Sequence, residues 1–132
     1  MSHTARESAK PLQPGTEDGS GTVLALGLGV VLILGLVLLA MLAQAAALAS
    51  RAASAADLSA LAAADAARGL LRGDPCRIAF EVASRHGAIV ESCVLTGAGG
   101  EIAEVRTVVA GSLGIGTGKA RARAGPPPGN GW

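Results

Sequence analysis

Aromatic side chains are almost absent from this sequence. Phe80 and Trp132 are the only two, and there is no tyrosine. Proteins that hold single-stranded nucleic acid usually stack the bases on aromatic rings. A formal net charge of +1 gives no general attraction for a polyanion either. We therefore expect no nucleic-acid partner.

Residues that bind metals or activate nucleophiles are also few. The chain has two cysteines and two histidines, and His86 lacks the paired spacing of a zinc motif. Ser84, His86 and Glu91 are close in sequence, but no nucleophile-elbow motif surrounds them. The glycines of 97–100 do not precede a helix, as a phosphate-binding loop would require. We predict a protein that is not an enzyme, with no metal, cofactor or small-molecule substrate.

Charged residues are missing from one long stretch, which begins at Gly19 and ends at Ser50. Its centre, residues 23–43, has about the 20 apolar residues that a helix needs to cross the hydrocarbon layer. A secretory signal peptide has a shorter apolar core, of about 7 to 15 residues. The small residues up to Ala47 would nevertheless suit a cleavage site. We predict one transmembrane helix, with release by signal-peptide cleavage near Ala47 as the alternative.

The polar residues 1–18 show no apolar periodicity and are predicted to form a disordered cytoplasmic tail. Residues 19–72 are predicted to form the transmembrane helix and its alanine-rich extension, because strong helix formers dominate there. Leu48, Leu58 and Leu61, together with Ala55 and Ala62, fall near helical spacing, and the alanine-rich surface of the extension favours tight packing against another helix. That extension either packs against a partner or is covered by the domain that follows, and the sequence favours neither.

Residues 73–124 predict a small α+β domain outside the membrane. Asp74 and Pro75 are typical of a helix start, since the carboxylate accepts free amides and proline suits the first helical position. A short helix is expected to run to about His86 and to end at Gly87 in a left-handed conformation. Cys76, Ala79, Phe80 and Ala83 are expected on one side of this helix.

The period of the sequence then changes to two, which predicts strands. Residues 88–95 and 101–110 form two of them, and the basic and alanine residues of 119–124 suit a third, at the edge of the sheet. We expect a two- or three-stranded antiparallel sheet, a flexible loop at 111–118 and a disordered tail at 125–132. In the first strand, the alternation places Ile89, Glu91, Cys93 and Leu95 opposite Val90, Ser92 and Val94.

Cys76 and Cys93 lie at the start of the short helix and in the first strand. Two cysteines in a small domain outside the cytoplasm most simply form one disulfide. It would close a loop of about 17 residues and stabilise the domain by about 3 kcal/mol. Two free thiols and a metal site are the alternatives, although a metal needs more ligands.

Four features together resemble a known family: residues 18–26 (DGSGTVLAL), residues 52–64 (AASAADLSALAAA), the pair Cys76 and Cys93, and residues 120–126 (ARARAGP). Their order and spacing are similar to those of the TadE-like proteins of pilus assembly and secretion. The likeness is greatest to the short helicase/secretion-neighbourhood variant.

The resemblance implies a pseudopilin-like structural component of a Tad/Flp-type pilus or secretion apparatus in a bacterial inner membrane. The N-terminus would be inside and the small domain outside, which also favours the disulfide. The implied partners are membrane lipid and other membrane subunits, which the transmembrane and alanine-rich helix would contact. Full analogy implies prepilin-type cleavage between Gly19 and Ser20. The sequence departs from the pilin pattern at the fifth position after Gly19, which is Leu24 where pilins usually have glutamate.

Overall fold

The computed structural model describes residues 18–127 and has an α+β fold, as predicted. In chain order its elements are α1 (Asp18–Ala67), α2 (Pro75–Arg85), β1 (Ile89–Thr96), β2 (Ile102–Ala110), a 3₁₀ turn (Ser112–Gly114) and β3 (Thr117–Ala124). The strands form one antiparallel sheet in the order β1-β2-β3, with β3 at an edge as expected. Asp18 begins α1, and residues 125–127 follow β3. The rest of both predicted tails lies outside the described residues.

Two compact units divide the described chain, one ending at Leu38 and the other beginning at Leu39. In the first unit α1 exposes leucine, valine and isoleucine side chains around its whole circumference. A helix that is apolar on every side is typical of a membrane span or of the interior of a large protein.

The helix α1 ends at Ala67, five residues before the predicted end at 72. Gly69 adopts a left-handed conformation with φ +78°. Its N–H donates to the carbonyl of Ala66, and the N–H of Leu70 donates to the carbonyl of Asp65, with N···O distances of 3.0 and 2.9 Å. These two bonds form a Schellman cap, which satisfies carbonyls of the last turn and prevents the helix from continuing.

The start of α2 confirms the predicted cap. The Asp74 carboxylate accepts the N–H of Arg77 at 2.8 Å, and Pro75 occupies the first helical position. Gly87 closes the helix with φ +69°, as expected. On the side of α2 that carries the grouped residues, Ala79 and Ala83 are buried, whereas Phe80 is 50% exposed.

Alanine, rather than leucine, forms the face of α1 that packs on the sheet. Of the residues at the predicted helical spacing, Ala55 is fully buried and Leu48 packs at the margin of the core, whereas Leu58 and Leu61 are 43% and 55% exposed. Small side chains allow the helix backbone to approach the strands more closely than leucine would. The buried positions of α1 are Ala52, Ala55, Ala56, Ser59, Ala60, Ala63, Ala64 and Ala66.

Two contacts show how closely α1 approaches the sheet. The buried Thr107 hydroxyl on β2 donates to the carbonyl of Ala52 at 2.8 Å. On β3, Gly118 lies directly against the backbone of Leu48, so a Cβ atom there would overlap the Leu48 carbonyl. A threonine and a glycine at these positions therefore determine the spacing between helix and sheet.

The alternation predicted for the first strand is interrupted by a β-bulge between Val90 and Ser92. Val90 pairs with Thr107 and Cys93 pairs with Val105. Since Thr107 and Val105 both face the core, Val90 and Cys93 lie on the same face although they are three residues apart. The predicted grouping of Cys93 opposite Val90 is therefore wrong. The alternation predicts β2 correctly: Ala103, Val105, Thr107 and Val109 are all buried.

Substituting Gly118 by alanine tests the close contact. We expect Gly118→Ala to lower the free energy of unfolding by about 1–3 kcal/mol, the usual cost of overpacking. Thermal unfolding of the full chain in detergent, followed by far-UV circular dichroism, measures the change. Thr117→Ala is the control because Thr117 is exposed on the same strand; it should change stability by less than about 0.5 kcal/mol. Equal effects would contradict the packing described here.

Ser59 provides a second test of the same face. Its side chain is fully buried, and among the described residues its hydroxyl has no hydrogen-bond partner. Removing such a group relieves a desolvation penalty and improves helix propensity, so Ser59→Ala should stabilise the protein by about 0.5–1 kcal/mol. Ser54→Ala, at an exposed site of the same helix, should gain only the propensity part. A loss of stability in Ser59→Ala would overturn the assignment.

Candidate functional site

One helix of the described chain is long and apolar enough to cross a membrane, and it lies near the N-terminus. A signal sequence has the same properties. Gly19 and Ser20, the predicted cleavage junction, lie in the first turn of this helix and are exposed. Cleavage between them stays a prediction.

Cys76 and Cys93 form the predicted disulfide, with a Cα–Cα distance of 5.8 Å. Cys76 lies in the first turn of α2 and Cys93 in the middle of β1, so the bond ties the short helix to the sheet. The alternatives of free thiols and of a thiolate metal site are wrong, because both sulfur atoms are used by the bond. The β-bulge contributes directly, since it turns Cys93 toward the face that α2 covers.

The structure keeps Ser84, His86 and Glu91 in separate interactions. The Ser84 hydroxyl donates to the carbonyl of Glu81 at 2.8 Å, and the Glu91 carboxylate accepts from Lys119 at 2.8 Å. His86 is the exposed C-cap residue of α2. Within residues 18–127, no three histidine, cysteine, aspartate or glutamate side chains are grouped as metal ligands.

The outer face of the sheet carries the predicted basic strip of Lys119, Arg121 and Arg123. Ion pairs neutralise part of it: Lys119 contacts Glu91, and Arg121 contacts Glu104 at 2.7 Å. The hydrogen bond from Arg121, with the nearby charges of Arg106 and Arg123, lowers the pKa of Glu104. These exposed pairs make the strip a solvated face of alternating charge.

The β2–β3 loop, residues 111–116, is ordered by its own backbone, whereas the sequence predicted flexibility. The Gly111 N–H donates to the carbonyl of Gly116 at 2.9 Å. Leu113 and Ile115 are 95% and 72% exposed. The sequence contains a signal for an exposed apolar loop that the prediction missed: two large aliphatic residues among glycines in a run without charge. A cleft of about 270 Å³ lies between this loop and α1 and is lined by Gln44, Ala47, Leu48, Arg51, Gly111, Ser112 and Ile115.

A second exposed feature, which carries two leucines, lies on α1. We call Ser54, Leu58 and Leu61 the outer stripe, because they recur at helical spacing and are all exposed. A groove of about 440 Å³ separates the stripe from the edge strand β3. It is lined by Asp57, Ala60, Leu61, Ala122, Arg123, Ala124 and Gly125.

Together these features define a class: a small disulfide-bonded α+β domain whose core includes part of a long helix that is apolar toward its N-terminus. Comparisons with protein-family models, curated proteins and solved structures gave no match to this chain.

Removing the disulfide should destabilise the domain strongly. A crosslink between residues 17 apart is worth about 3 kcal/mol, a large part of the stability of so small a domain. We expect the double variant Cys76→Ser, Cys93→Ser to melt far below the parent chain. Non-reducing mass spectrometry of the parent should find neither thiol open to alkylation. Labelling of both would contradict the assignment.

Proposed function

We propose that this protein is a single-pass membrane subunit without enzymatic activity, a pseudopilin-like structural component of a Tad/Flp-type pilus or secretion apparatus. One observation carries the proposal. A single helix, α1, contains both an uncharged apolar segment long enough to cross a membrane and the alanine face on which the sheet packs. The order of its parts resembles that of TadE-like proteins.

The disulfide supports an orientation with the domain outside the cytoplasm. Disulfides form and persist in oxidising compartments and are rare in the bacterial cytosol. The bond between Cys76 and Cys93 joins two elements of the folded domain. We therefore place the N-terminus inside and the domain outside the inner membrane.

The outer stripe supports a role in assembly. The alanine face of α1 is already covered by the sheet, whereas Leu58 and Leu61 are available on its other side. Exposed apolar residues at helical spacing suit contact with an apolar groove or with another amphipathic helix. We place a neighbouring subunit against this stripe.

The alternative is a secreted binding module released by cleavage near Ala47. The partly buried Leu48 is the first residue of α1 to pack against the core. A product that begins at Leu48 would therefore keep the whole packed face of the helix, and this favours the alternative.

Membrane extraction and intact-mass analysis separate the two functions. The membrane subunit should resist carbonate extraction, and its domain should be digested by protease added from outside only. Its mass should be that of the full chain, or of the chain without the segment through Gly19. A soluble product without the apolar stretch would favour the secreted module. A full-length soluble cytoplasmic protein would contradict both.

Site-specific crosslinking tests the outer stripe. In native membranes, Leu61→Cys labelled with a maleimide that carries a photoreactive benzophenone should be joined to a neighbouring subunit on illumination. The native cysteines are already bonded to each other, so the new thiol is the one that reacts. Val94→Cys, exposed on β1, is the matched control and should give several-fold less product. Equal crosslinking at both sites would contradict an interface at the stripe.

A further inference from the structure

The hairpin of β2 and β3 runs along α1 toward its N-terminal end. Thr107 contacts the carbonyl of Ala52, whereas Gly118, which pairs with Val109, contacts Leu48. Two strand residues span about 6–7 Å and four helix residues about 6 Å. The two contacts are therefore separated by the same distance on the strands as on the helix, so the hairpin runs parallel to the helix axis. The β2–β3 loop lies beyond these contacts, at the level of Gln44.

That level is where the apolar stretch of α1 ends. Leu39, Met41 and Leu42 belong to the same compact unit as the loop and are all exposed. Gln44 is the first strongly polar side chain after them and lines the cleft beside the loop. If α1 crosses a bilayer, the loop therefore lies at the boundary between hydrocarbon and headgroups.

The loop has the composition and conformation of a segment that enters this boundary. No charged residue occurs between Arg106 and Lys119. Within residues 18–127, Leu113 is the one residue other than glycine with a positive φ, at 61°. A left-handed backbone has an energetic cost for leucine, and here it presents an apolar side chain to the surroundings. Burial of Leu113 and Ile115 in lipid would offset that cost.

We propose that the β2–β3 loop inserts Leu113 and Ile115 into the lipid interface beside α1, as a second membrane contact. The inference rests on the proposed membrane anchoring. Arg51 lines the same cleft and forms no ion pair among the described residues, so its guanidinium is available to lipid phosphates. The two contacts together determine the height and rotation of the domain on the membrane.

Lipid is the occupant we assign because the cleft beside the loop reaches Gln44, directly after the exposed apolar side chains of α1. Leu39, Met41 and Leu42 are exposed on the helix and need an apolar environment. The exposed Leu113 and Ile115 of the loop need the same environment. A second copy of the chain or another protein covering the loop would be the competing result.

Fluorescence of the full chain in vesicles tests the proposal. Leu113→Cys, Leu34→Cys and Leu71→Cys are each labelled with an environment-sensitive fluorophore, with the native disulfide intact. The vesicles contain phosphatidylcholine and phosphatidylglycerol, with or without brominated acyl chains. Position 34 reports the crossing segment, and position 71, beyond the far end of α1, reports water. Circular dichroism confirms that each labelled chain is folded, and Ile115→Cys replaces Leu113→Cys if that variant is not.

We expect the label at 113 to be quenched by brominated lipid and to be several-fold less accessible to iodide than the label at 71. Quenching at 34 without quenching at 113 would overturn the inference and leave the anchoring intact. A label at 113 that is protected from iodide but not quenched by lipid would also overturn it, because protein would then cover the loop. Absence of lipid quenching at 34 would overturn the anchoring, and the inference with it.

Discussion

The alanine face of α1 packs closely on the sheet, with the Leu48 backbone directly against Gly118, and the rest of the domain depends on this packing. The largest fully buried side chains are only Val105, Thr107 and Ser59. Such side chains bury little apolar area each, so cohesion has to come from dense contact over many small residues. Gly118 permits the approach, and the Thr107 hydroxyl satisfies a helix carbonyl within it. A domain with so small a core is only marginally stable, and the Cys76–Cys93 bond contributes a considerable part of its free energy of unfolding.

The same helix meets two opposite requirements along its length. Toward the N-terminus it presents large aliphatic side chains on all sides, as lipid requires. From Leu48 onward it presents alanine to its own sheet and keeps Leu58 and Leu61 on the other side. The change from leucine and valine to alanine therefore marks where the helix begins to pack against its own sheet.

Local rules predicted most elements, since caps and periodicity depend on neighbouring residues. Asp74, Pro75 and Gly87 delimit α2 as their chemistry requires. The early end of α1 was missed because the left-handed Gly69 closes a Schellman cap before the helix formers run out. Helical spacing alone groups Leu58 and Leu61 with Ala55, but only the alanine is buried, because the narrow gap to the sheet admits small side chains. The bulge after Val90 depends on register with β2, which no pattern within β1 contains. The disulfide was predictable from cysteine count, but the backbone hydrogen bonds within the β2–β3 loop were not, since no side chain in the loop signals them.

The direction of the strands along α1 has a mechanical consequence. Because the contacts at Leu48 and Ala52 follow one another along the helix axis, tension applied along α1 loads them together, in shear. They would have to fail almost simultaneously, whereas contacts across the axis would peel apart one at a time. A protein built in this way could bear a pulling force along its helix without first losing the contacts between helix and sheet.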